Sequence, residues 1–215
     1  MTLSAPPVLR PPTPARVSVH PRLVRLDPQT RARLHAAAEA FEVPAELIAG
    51  VLIDEHARLD RWDAMQDVAV RFGLRLPGPV AAGWWRLLGG CCGRPVDSFS
   101  LGRAQMKPET LRHLGRLGYV DVPATPDALW RMLLDDRLAE RLVAACLRAT
   151  VDHWAAGGVA ILHRPDVLGT LYSLGLTGAN GVHAHPVANA RGEGIARWAS
   201  WLSTQGVLTG QAPQR

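Results

Sequence analysis

The 215-residue sequence predicts a mainly α-helical fold with little or no β-sheet. Three observations carry that expectation. Apolar residues recur at spacings of three and four, capping residues stand before prolines, and glycines fall just past the ends of the periodic segments. Asp27-Pro28 is such a cap, with proline at the first helical position, and a helix is expected to about Phe41 with Leu34, Ala38 and Phe41 inward. Val43-Pro44 turns the chain into a second helix, ending near Leu59. Trp62, Met65, Val68, Ala69 and Phe72 make a further apolar helical face, broken by Leu76-Pro77-Gly78-Pro79. A short helix is expected over Val80 to Leu88, then a glycine-rich loop from Gly89 to Asp97, with room for a small ribbon within 73–101.

Pro108 to Leu117 reads as the next helix. Thr125-Pro126 repeats the cap-plus-proline signature before Leu129, Trp130, Leu133 and Leu134. Asp135 or Asp136 is expected to cap a long helix carrying Leu138, Leu142, Ala145, Cys146, Ala149, His153 and Trp154, with Gly157-Gly158 past its end. Pro165 opens a helix that Gly175 stops. Leu176 to Ala190 reads as loop, and Gly192 to Thr204 as a final helix. The expected organisation is a Pro/Arg-rich tail over 1–26, one helical domain over 27–206 and a C-terminal tail over 207–215.

Composition narrows the classes. At 47% hydrophobic residues, a sizeable core is available. The net charge is +5 and the pI about 9.8. Lys107 is the single lysine among 24 basic residues. The arginines are scattered and form no run, so a nucleic-acid stripe is weakly supported, while an anionic polymer such as a bacterial wall suits the charge. Cys91, Cys92 and Cys146 form no Cys-x-x-Cys and imply neither a disulfide framework nor a zinc knuckle. His183-Ala184-His185 lacks an identifiable third ligand and reads as a solvated loop, so no metal or cofactor is implied. The first 22 residues lack the apolar stretch of a signal peptide, and no stretch is long enough for a membrane span. Synthesis in the cytosol is the expectation, with any action on a wall following lysis or non-Sec delivery.

One residue is out of place. In the second helix Ile48, Val51, Leu52 and Leu59 share a face, and Glu55, three after Leu52 and four after Val51, falls in its middle. A carboxyl group among aliphatic neighbours loses hydration and its pKa rises, which suits a general acid. The alternative is that Glu55 swings out to pair with Arg58 or Arg61. His56 points about 100° round the helix, so no dyad with Glu55 is expected. Trp84 and Trp85 are the best sugar-stacking tryptophans, since adjacent helical residues cannot easily both be buried.

Downstream, Ser98 to Thr110 contains Ser100, Gly102, Gln105, Met106, Pro108 and Thr110 in series. Leu171-Tyr172-Ser173-Leu174-Gly175 and Ala188-Asn189-Ala190-Arg191-Gly192 follow, and Leu134 to Ala139 leads into the long helix. Taken in this order, the segments resemble the goose-type lysozyme and lytic transglycosylase superfamily, over about residues 42–202. Ser173 stands where that pattern usually has Asn. The resemblance implies a lysozyme-like helical domain and a muramidase acting on the β-1,4 bond between N-acetylmuramic acid and N-acetylglucosamine of a peptidoglycan strand. Glu55 would be the acid, and Ser100, Gly102, Gln105, Met106, Tyr172 and Asn189 the substrate-binding set. Gly102 would let a sugar approach the backbone, Gln105 would bond its polar groups, Met106 would pad the acid and Tyr172 would fix its rotamer.

A transglycosylase of this kind needs one carboxyl group, whereas a hydrolase normally needs two. Asp60, Asp63 and Asp97 are the candidates for a second, with a helix cap or arginine partner as the other role for Asp60 and Asp63. The stretch from Trp62 to Asp97 is longer than in many transglycosylases. It is either an added helical pair shaping the cleft or the mark of a remote subfamily. The transglycosylase outcome is favoured slightly. The competing expectations are an inactive lysozyme-like glycan-binding or structural module and an arginine-rich DNA-binding protein.

Overall fold

A computed structural model describes residues 26–176 and 180–209, and these are mainly helical, with nine α-helices and no strand. In order they are α1 (Pro28–Phe41), α2 (Ala45–Arg58), α3 (Arg61–Gly73), α4 (Gly78–Cys92), α5 (Pro108–Arg116), α6 (Pro126–Leu133), α7 (Ala139–Ala156), α8 (Pro165–Leu174) and α9 (Ala190–Thr204). A single 3-10 turn, Val96–Ser98, lies between α4 and α5. The expected N-terminal tail falls, apart from Leu26, outside the described residues.

The cap signatures act as local chemistry requires. The Asp27 carboxylate accepts from the N–H groups of Gln29 and Thr30 at 2.9 Å, and the Thr125 hydroxyl accepts from Ala128 N–H. Asn189 caps α9, its Oδ1 accepting from Gly192 N–H at 2.9 Å. The α7 expectation is corrected: Leu138 is the capping position and bonds nothing through its side chain, while Asp135 holds Arg137 N–H one turn earlier. His153 near the end of α7 is exposed.

Helix α7 is the axis of the core. Leu142, Val143, Ala144, Ala145 and Leu147 are fully buried, so apolar contact surrounds it on nearly every side. Helices α1, α2, α5 and α8 pack against it, and α9 lies along both α2 and α8. Small residues permit the α2–α9 and α8–α9 approaches. A side-chain carbon on Gly50 would stand 3.0 Å from the Ile195 carbonyl oxygen, and one on Gly192 would overlap the Asp166 carbonyl and the Thr170 hydroxyl. The chain stays packed beyond α9. Leu208, placed by the sequence reading in a C-terminal tail, is buried, and its carbonyl meets His35 Nε2 at 3.1 Å.

The segment from 61 to 99 differs most from its sequence pattern. Helix α4 runs through Gly89 and Gly90 to Cys92, where a loop was expected, and ends on Gly93 with φ 65°. No strand forms among the described residues. A lone antiparallel bridge joins Leu101 to Met106. In α3 it is the apolar face that points outward: Trp62 is 67% exposed and Phe72 48%, whereas Gln66, Val70 and Gly73 are buried. The buried amide of Gln66 accepts from Arg94 Nη2 at 3.0 Å, so the buried polar group on this inner face is satisfied.

Arginines dock the α3–α4 pair by capping exposed carbonyls. Arg71 donates to Leu134 O at the end of α6 at 2.8 Å, and Arg131 of α6 donates to Leu74 O at the end of α3. Trp85 meets Trp130 edge-on at 4.8 Å, and Trp84 donates its Nε1–H to Ala69 O. Both tryptophans are therefore half-buried and pack between helices. Glycine substitutions separate close contact from open surface. Gly192→Ala is expected to lower stability by about 2–3 kcal/mol in urea unfolding, through the overlap with α8. Gly83→Ala, whose new carbon would meet nothing within 4 Å, is expected to raise stability by up to about 1 kcal/mol.

Candidate active site

Glu55 lies in the last turn of α2 and is 8% exposed. It does not swing out to Arg58 or Arg61. Its partner is Arg191 in the first turn of α9, whose Nη2 lies 2.5 Å from Glu55 Oε1, a close charge contact without the alignment of a hydrogen bond. The same guanidinium donates from Nε to Asp54 Oδ2 at 2.8 Å, and Arg58 Nε reaches the Asp54 carboxylate at 2.9 Å. Two adjacent buried carboxylates of α2 are thus tied by one arginine of α9. Burial pushes the Glu55 carboxyl above its ordinary pKa, with Arg191 opposing and the neighbouring Asp54 charge reinforcing.

Glu55 opens onto a cleft of about 520 Å³. Asp63, Ser100, Gln105, Met106 and Tyr172 also line it, so the fold gathers residues from α2, α3, the 100–106 loop and α8. Four cations, Arg58, Arg94, Lys107 and Arg191, face Glu55, Asp63 and Glu109 around it. Cys146 lies at its base, the thiol pushed up to about 12 by burial and hence unreactive.

The 100–106 loop is held from several directions. Leu101 and Met106 exchange backbone hydrogen bonds at 3.1 and 3.2 Å. Gly102 and Gln105 adopt positive φ, 68° and 44°. At Gly102 the glycine is obligatory, because a side-chain carbon there would overlap the Leu133 carbonyl. The space expected for a sugar is thus filled by the end of α6, and Gly102 N–H donates to the Asp67 carboxylate at 3.1 Å. Gln105 Nε2 donates to Gly102 O at 2.9 Å, leaving its second N–H and its carbonyl for the cleft. Met106 is 3% exposed beside the cleft.

Three expectations are corrected. The Tyr172 hydroxyl donates to Ala104 O at 2.6 Å, so it braces the loop and does not fix the Glu55 rotamer. Asn189 is spent on the α9 cap and on Thr170, whose Oγ1 accepts from Asn189 N–H at 2.9 Å. Among the candidate second carboxylates, Asp60 caps α3 by accepting from Trp62 and Asp63 N–H, and Asp97 accepts from Arg112 and Trp130. Neither lines the cleft, whereas Asp63 does.

Sequence reasoning passed over Arg191 and Asp67. A lone arginine in the first turn of a helix opposes the dipole there, and that conflict was the available signal for Arg191. Asp67, raised by burial, binds the loop from an otherwise unremarkable helix and left no signal. Behind the loop Glu140, fully buried, is held by Arg33 Nε at 3.1 Å and Arg103 Nη1 at 3.3 Å. Among the described residues no cluster of three or more His, Cys, Asp or Glu is placed to hold a metal ion. His183 instead lies edge-on to Trp154 at 5.6 Å.

Comparison with protein-family models, with curated proteins and with solved structures found no match for this chain.

The ionisation of Glu55 sets a pH dependence. Between its ordinary pKa and the raised value, the native chain keeps a proton that the unfolded chain has lost. Stability therefore falls as pH rises through that window and levels off above it. Glu55→Gln, which cannot ionise, is expected to flatten that decline in melting temperature measured against pH and to melt no lower than wild type at neutral pH. Arg191→Gln leaves Asp54 with Arg58 alone and is expected to cost about 2 kcal/mol in urea unfolding, with a further rise in the Glu55 pKa followed by carboxyl infrared titration.

Proposed function

We propose that the chain is a lysozyme-like muramidase, cleaving the bond between N-acetylmuramic acid and N-acetylglucosamine in peptidoglycan and acting as a lytic transglycosylase. The observation that carries this reading is the buried Glu55 carboxyl on the wall of a cleft of about 520 Å³, within the range of a small-molecule site. The ordered series of Glu55, the 100–106 loop and Tyr172 supports it further, since residues far apart in sequence line one cleft.

In this reading protonated Glu55 gives its proton to the glycosidic oxygen as the bond to the muramyl C1 breaks. The Glu55 carboxylate, stabilised by Arg191, then takes the proton of the muramyl 6-hydroxyl as that oxygen closes on C1 to form the 1,6-anhydro ring. The carboxyl ends as it began. Burial favours the acid form needed first, and the guanidinium favours the anion needed second. The free donor and acceptor of Gln105 meet the sugar's amide or hydroxyl groups, and the cationic cleft suits an anionic wall polymer. Asp63 is the remaining second carboxylate for a hydrolytic outcome.

A second reading, an inactive glycan-binding module, is favoured by two specific observations. The Tyr172 hydroxyl is engaged by Ala104 O, away from Glu55, and Ser173 stands at the position where the family pattern has Asn. Digestion of purified sacculi with mass analysis of the soluble muropeptides decides between them. Anhydro products are expected, with Glu55→Gln slowing release roughly a thousandfold. Reducing-end products that Asp63→Asn abolishes would assign hydrolysis. No products, with glycan binding equal in wild type and Glu55→Gln, would establish the binding module.

A further inference from the structure

The sequence marks an apolar stripe on α3, and the fold turns it to the outside. Trp62, Met65, Val68 and Phe72 are all exposed, at 67, 57, 67 and 48%. Their spacing of three, three and four keeps them on one side of the helix. The stripe continues onto α4. Trp84 packs edge-on against Phe72 at 5.0 Å, and Val80 and Leu87, four before and three after Trp84, share its face and are exposed at 57 and 59%. Six of the nine exposed large hydrophobic residues among the described residues thus lie on this one hairpin. Such concentration is uncommon on a free surface and marks an interaction face.

Charge on the hairpin is sorted by side. Its two acids turn inward: Asp63 lines the cleft, and Asp67 is spent on Gly102 N–H. Arg61, Arg75 and Arg86 are exposed and make no ion pair among the described residues. The outer face is therefore apolar and aromatic at its centre, on a hairpin that also exposes Arg61, Arg75 and Arg86, and Asp60, which caps α3 beside Trp62, is its exposed acid.

We propose that the outer face of the α3–α4 hairpin docks on an anionic lipid surface. Aliphatic Met65, Val68, Val80 and Leu87 offer a sugar or a nucleic acid no hydrogen-bonding group, but they suit the acyl boundary of a bilayer. Trp62 fits the interface, and the arginines fit lipid phosphates. The docking proposed is peripheral, through side chains of the hairpin, and no helix among the described residues is long and apolar enough to cross a membrane.

The test is cosedimentation of the full chain with phosphatidylglycerol-containing vesicles and with phosphatidylcholine vesicles. Binding to the anionic vesicles is expected, weakened roughly tenfold or more on neutral vesicles or in high salt. Trp62→Ser with Phe72→Ser, and separately Arg61→Gln with Arg75→Gln and Arg86→Gln, are expected to reduce it roughly tenfold or more. Circular dichroism should not change, and the melting temperature should fall only by the few degrees that the lost Phe72–Trp84 contact accounts for. Glu55→Gln should bind as wild type does, which separates this proposal from the fate of the muramidase reading. Failure of the folded wild type to sediment with anionic vesicles would overturn it, as would binding that the Trp62/Phe72 pair leaves intact. A dimer in sedimentation velocity that the same pair dissolves, without vesicle binding, would reassign the face to self-association.

Discussion

Arg191 spans the two carboxylates of α2, and the position of α9 depends on that span. Asp54 and Glu55 are neighbours in sequence, point in different directions round the helix and are both buried. Two desolvated carboxyl groups side by side would strain α2 unless a cation met them. A guanidinium can meet both, since its planar fork carries several donors on one rigid plane. Reaching them requires α9 to start close to α2, and Gly50 allows the backbones together where any side chain would press on Ile195 O. Helix geometry, close packing and charge therefore impose one arrangement. The Glu55 environment is a result of that arrangement and not of the α2 sequence alone.

The loop carrying Gln105 and Met106 is stiffened by the same logic applied at long range. Asp67 grips it from α3, Tyr172 from α8, and the Arg103–Glu140 pair ties it to α7. The residues between α2 and this loop are an anchor as well as a wall. Their inner face carries Asp67 and Gln66, which the loop and Arg94 satisfy. With Gln66 and Asp67 engaged inward beside Val70, Trp62, Met65, Val68 and Phe72 are left for the outside. The exposed stripe of α3 and the rigidity of the cleft loop have one cause in common.

Much of the fold was legible in the residues. Asp27-Pro28 and Thr125-Pro126 opened helices where capping chemistry requires them, Gly157-Gly158 and Gly175 followed helix ends, and the burial of Glu55 was written in the spacing from Val51 and Leu52. These are local statements, fixed within one or two turns by hydrogen bonds and periodicity. The candidate site was legible in part. Glu55, Ser100, Gln105, Met106 and Tyr172 do line one cleft with Asp63, but Gly102, Asn189, Asp60 and Asp97 serve packing, capping and ion pairing instead.

By itself the sequence determined where most of the helices begin and end, and that the Glu55 carboxyl group would fall on the apolar face of α2. Tertiary structure alone decided which side of α3 faces out, that Gly89 and Gly90 remain helical, that Leu133 fills the space beside Gly102, and that Arg191 answers Asp54 and Glu55. The physical reason is the range of the forces involved. Periodicity reveals that a helix has an apolar face, yet the covering of that face depends on partners dozens of residues away. A buried charge likewise announces its need for a counter-ion without indicating which distant residue supplies it.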